Sequence, residues 1–125
     1  MIDDGLLKLL WERQQFFCKE TTKYLLNKNV EDLSTKERIV LSKDYILSLV
    51  GECKEALDTF SWKIHRLNNR EDFDKNLFLE ETIDIQKYLW GLMGVWSITL
   101  DEFVEMFLKK SQIVEERWKK EILKK

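Results

Sequence analysis

Proline is missing altogether from the chain, and glycine occurs four times in 125 residues. A sheet protein needs turn residues every few positions, so their scarcity argues against a strand-rich fold and leaves long helices. Cysteine occurs twice, as Cys18 and Cys53, with no CxxC spacing and with one histidine in the whole chain. Free thiols in a reducing compartment are expected. Long hydrophobic runs are missing too. The longest nearly apolar stretch, residues 88–100, is too short to cross a bilayer and is broken by glycines and Ser97. Neither sign of charge dominates, and a formal net charge of −2 argues against general nucleic-acid affinity. The expected location is cytoplasmic, with neither nucleic acid nor membrane as a partner.

Leu, Lys, Glu and Ile, all compatible with helix, make up much of the remainder. With 35% charged and 44% hydrophobic residues, the chain suits a single globular domain over 1–125. Four helices are predicted. The first covers about residues 3–27. Ser34-Thr35-Lys36-Glu37 is a capping box that opens a second helix reaching to about residue 67. Residues 68–72 read as a loop, and the third helix covers about 73–96. After a break at Ser97-Ile98, a second capping box, Thr99 to Glu102, starts a fourth helix running nearly to the C-terminus. The predicted fold class is an all-α four-helix bundle.

The third helix is apolar over roughly two-thirds of its circumference at 100° per residue. Such a helix is buried on more than one side. Glu81 falls inside this apolar arc, and Asp84 lies at its edge. On the second helix Ile46, Leu49, Val50, Cys53, Ala56, Leu57 and Phe60 form the expected core stripe. Glu52 flanks it and Glu55 lies further round. Two working faces on central helices suggest an inward-facing site, a subunit interface, or both.

Glu52/Glu55 and Glu81/Asp84 are therefore two acid pairs at i,i+3 spacing, each on one helix face. Carboxylates converging inside a bundle repel one another and need a cation or raised pKa values. A solvated acidic face is the simpler reading of any one pair; Glu81 within an apolar arc is what that reading does not explain. Oxygen-only ligands suit Mg²⁺ or Mn²⁺ rather than zinc. No GxxxxGK[ST] or GxGxxG loop is present, so bound phosphate would be held by metal and basic side chains.

The run Glu52-Cys53-Lys54-Glu55-Ala56-Leu57-Asp58-Thr59-Phe60-Ser61-Trp62-Lys63 resembles the second motif of the all-α dimeric dUTPases, within the wider MazG-like nucleoside triphosphate pyrophosphohydrolases. Glu81-Thr82-Ile83-Asp84-Ile85 is similar to their third motif. Gln14-Gln15 with Glu20-Thr21 is similar to the first, and Lys110 with Arg117 resembles a late basic pair.

The resemblance implies an intertwined homodimer, or a dimer of dimers, that hydrolyses a (deoxy)nucleoside triphosphate to the monophosphate and pyrophosphate. It implies Mg²⁺ on Glu52, Glu55, Glu81 and Asp84, with Glu52 accepting a proton from the attacking water. It also makes Gln14, Gln15, Trp62, Lys63, Lys110 and Arg117 candidates for substrate contact and Asp58 an outer acid. Cys18, Ile64-His65, Lys87-Tyr88, Ser111 and Val114 depart from the pattern at or near the base and sugar pocket. Two further readings stay open: a MazG-like house-cleaning enzyme of broader specificity, and a non-catalytic helical interaction module.

Overall fold

The computed structural model describes residues 4–60 and 73–124. Helix α1 spans Asp4–Leu26, a 3-10 turn Val30–Asp32, α2 Thr35–Leu57, α3 Lys75–Val95 and α4 Leu100–Leu123. Among the described residues there is no strand. The all-α expectation of four helices is met. The loop expected at 68–72 lies outside the described residues.

Local chemistry sets the helix ends. Ser34 Oγ accepts from Glu37 N at 3.1 Å, and Ser34 N donates to Glu37 Oε1 at 3.0 Å. Thr99 and Glu102 repeat the exchange at 3.2 and 3.0 Å, so both predicted capping boxes form. The amide of Ser34, assisted by the Lys28 ammonium 3.0 Å away, holds the Glu37 carboxyl down at about 2. Helix α3 ends in a Schellman motif: Ser97 N donates to Gly94 O at 3.0 Å and Ile98 N to Met93 O at 3.1 Å. Ser97 takes the left-handed conformation there, with φ of 55°.

Helix α2 is shorter than its sequence suggests, ending at Leu57 rather than near residue 67. The Thr59 hydroxyl donates to Ala56 O at 2.7 Å, and the Phe60 amide turns back to Leu57 O. Residues 61–67 lie outside the described residues.

Helix α3 is central and packs against both α2 and α1. Helices α2 and α3 run antiparallel, and their seam recurs every seven residues, with a last step of eight to rings just beyond the two helices. Arg38 meets Val95, donating to its carbonyl. Tyr45 meets Tyr88 with ring centroids 6.0 Å apart. Glu52 meets Glu81, and Phe60 stacks on Phe73 at 5.6 Å. This rotates α2 away from its predicted stripe. Ile46, Val50, Cys53 and Leu57 point outward, Leu49 and Ala56 keep their predicted inward places, and Tyr45, Ser48 and Glu52 are drawn in.

The buried cluster is small and lies toward the Arg38 end of that seam: Cys18, Val30, Leu33, Leu41 and Val95, with Tyr45 against it. Arg38 braces it by donating to the carbonyls of Val30 at 2.9 Å and Leu33 at 3.3 Å, besides Val95. Gly91 lets α2 approach α3 here, because a Cβ on it would lie 2.7 Å from the Tyr45 ring. Helix α4 is joined through Phe103, stacked on Trp11 at 5.5 Å, and buries none of its own residues.

The solvent-accessible surface is 10597 Å². A folded monomer of 15.2 kDa exposes about 7,100 Å². Large apolar side chains contribute to the excess, with Leu9, Phe16, Leu47, Val50, Leu79 and Phe107 all more than half exposed.

Candidate metal centre

The acids occupy the third of the four seam layers, one heptad step beyond the tyrosine pair. Helical geometry puts Glu52 and Glu55 on adjacent positions of one face of α2, and α3 brings Glu81 against them. One carboxylate oxygen from each of Glu52, Glu55 and Glu81 lies within 4.8 Å of the other two. Glu52 and Glu81 are half-buried and Glu55 is exposed. Asp84 is half-buried one turn along α3, and its charge acts on both Glu52 and Glu81.

Electrostatics follow from that crowding. Loss of water raises the Glu52 carboxyl above its ordinary 4.5, and a hydrogen bond and charge from Glu55 raise it further. Glu81 is raised for the same leading reason, with Glu55, Asp84 and Glu80 adding to it. Glu52 Oε2 and Glu81 Oε2 are buried with no hydrogen-bond partner. Among the described residues no lysine or arginine forms an ion pair with any of the four acids. Buried carboxylate oxygens are ordinarily satisfied, so these two fit a site for a hard cation that takes oxygen ligands.

The remaining candidates are placed differently. Gln14 Nε2 donates to Lys87 O at 3.1 Å, and Gln15 Nε2 to Trp90 O at 2.9 Å, tying α1 to α3. Cys18 continues that line, donating to Gly91 O at 3.4 Å, and accepts from the Tyr45 hydroxyl at 3.4 Å. Burial, with the Cys18 contact, pushes the Tyr45 phenol well above its ordinary range. Asp58 caps α2 and pairs with Lys54 at 2.6 Å. Trp62 and Lys63 lie outside the described residues.

Lys110 is not beside the acids. It lines a groove of about 650 Å³ together with Met93, Ile98, Phe103, Met106 and Phe107. Met93 lies about 13 Å of helix beyond Asp84. Arg117 is two turns further along α4 and exposed. Sequence reasoning missed this groove, although the apolar stripe of α4 was available as its signal. It also missed Arg38, whose bonds to three carbonyls have no local sequence signature.

Comparison of the chain with protein-family models, with curated proteins and with solved structures finds no match.

Proposed function

We propose that this chain is a Mg²⁺-dependent nucleotide pyrophosphohydrolase, cleaving a dUTP-like (deoxy)nucleoside triphosphate to the monophosphate and pyrophosphate. The observation that carries the reading is the pair of orphaned oxygens, Glu52 Oε2 and Glu81 Oε2, in a cluster of acids between two helices. The sequence resemblance to the MazG-like enzymes supplies the reaction class.

Glu52, Glu55, Glu81 and Asp84 would hold Mg²⁺, or Mn²⁺ in its place. When bound, the ion neutralises phosphate charge and makes a coordinated water easier to deprotonate. Glu52, placed among these acids, would take that proton as general base. The water oxygen then bonds to phosphorus as the bridging P–O bond breaks, and the proton rests on Glu52. Tyr45 and Tyr88 on one side and the Phe60, Phe73 and Phe78 rings on the other flank the acids and limit water access.

Within one chain Lys110 and Arg117 stand apart from the acids. Contact with phosphate then falls to Lys63, or to cations from a second copy. The excess apolar surface supports a homodimer or dimer of dimers, since obligate dimers bury roughly 2,000–5,000 Å² in total. Two free thiols, Cys18 and Cys53, suit the cytoplasm. No helix among the described residues is long and apolar enough to cross a membrane.

The same exposed apolar faces favour a second reading, a non-catalytic helical interaction module. A panel of nucleoside triphosphates assayed for pyrophosphate release with Mg²⁺ separates the two. Release from dUTP, lost on Glu81→Gln by about a thousandfold or more, supports the proposal. Equal turnover of dUTP, dCTP and dTTP would point to a broader house-cleaning enzyme. No release from any nucleotide, with melting unchanged by Mg²⁺ or Mn²⁺, leaves the interaction module.

A further inference from the structure

Helix α4 is 24 residues long, meets the rest of the chain through Phe103, and buries nothing of its own. Its apolar residues nevertheless follow a heptad. Val104, Ser111 and Trp118 fall at one seam position, and Leu100, Phe107 and Val114 at the other. Phe107 is 61% exposed, Val114 53% and Trp118 61%. Leu100, Val104 and Ser111 are half-buried in their own chain, so the bare positions are Phe107, Val114 and Trp118, an apolar strip that suits a matching helix.

We propose that α4 pairs in parallel and in register with α4 of a second copy of this chain. Charge selects both the partner and the direction. Lys110 and Glu115 flank the seam five residues apart, the spacing at which parallel helices exchange ion pairs. Lys110 of each copy therefore meets Glu115 of the other, twice per dimer. The antiparallel arrangement would set Lys110 against Lys110. Parallel pairing also accounts for Leu108, 65% exposed and outside the groove of its own chain. It stands opposite Phe103 of the second copy, where the groove beside Met93 and Ile98 opens. With Phe107, Leu108, Val114 and Trp118 all more than half exposed, α4 offers the apolar surface that a second helix would cover. Lys110 thereby becomes an interface residue.

The seam refines the self-association in the proposed function and is independent of its chemistry, because mass and cross-linking are read without nucleotide or metal. Sedimentation of the full chain at micromolar concentration should give a dimer. Lys110→Glu should weaken it roughly tenfold, and Lys110→Glu with Glu115→Lys should restore it. In a Cys53→Ser background, Ser111→Cys should oxidise to a covalent dimer, since facing seam positions have disulfide spacing. A monomer at those concentrations overturns the proposal. A dimer indifferent to both charge variants, with Ser111→Cys uncrosslinked, also overturns it while leaving self-association through another face. These outcomes stand whether or not pyrophosphate release is found.

Discussion

At the scale of single residues, Glu81 and Glu52 behave unlike ordinary surface acids. Their carboxyls titrate above 4.5 in the folded chain, so the cation-free protein holds protons that the unfolded chain has released. Their contribution to stability is fully present below 4.5 and is lost as pH rises through the raised values. Glu37 acts in the opposite sense: with its carboxyl at about 2, its contribution is present above 4.5 and lost as pH falls toward about 2. In chelator, the melting temperature should therefore fall as pH rises from 4.5, and Mg²⁺ should restore it by mass action. Glu81→Gln keeps the shape and removes one ionisation, so its chelator-treated melting temperature should be higher and its pH slope shallower. Melting curves in chelator across that range check this; an unchanged slope in Glu81→Gln would sink it. Glu81 was legible in the sequence because its apolar neighbours on the same helix marked the direction it faces. Glu52 was legible only as an acid beside a stripe. Which side of α2 turns inward is decided by Tyr45 and Phe60 finding rings on α3, and a single helix carries no record of its partner.

At the scale of elements, both capping boxes were readable because four consecutive residues contain the whole interaction. The end of α2 was not, because the residues beyond Leu57 contain no proline or glycine and continue a helical pattern. The junction between α3 and α4 offers a test. Ser97 occupies the left-handed position of the Schellman motif with φ of 55°, a conformation that costs a residue bearing a Cβ about 1–2 kcal/mol. Glycine is the usual occupant. Ser97→Gly should stabilise the fold by about 1 kcal/mol, less what the freer unfolded chain gives back, with no change in pyrophosphate release. Denaturant midpoints measure it, and a lower midpoint would mean that this turn is not held as described.

At the scale of the whole molecule, the number of helices and the acids on the middle two were legible in residue patterns, but not how thinly one chain covers its own apolar faces. Residue patterns record that a face is apolar; they do not say whether the atoms that cover it belong to the same chain. The layered seam between α2 and α3 has a consequence of its own. Its third layer is charge, so the two helices are fastened as two zippers in series rather than one. The Arg38 zipper draws on the buried cluster around Val95, whereas the phenylalanine zipper beyond the acids is closed, among the described residues, by three rings. Separate units of this kind open with separate free energies, and a cation in the intervening layer is the rivet that makes them open together. Amide hydrogen exchange should then be fast from Glu52 to Leu57 and from Lys75 to Glu81 in chelator. Both segments should slow together with Mg²⁺, while amides around Leu41 and Val95 stay protected in either condition. Equal protection of both ends in chelator would mean that the acid layer does not divide the seam.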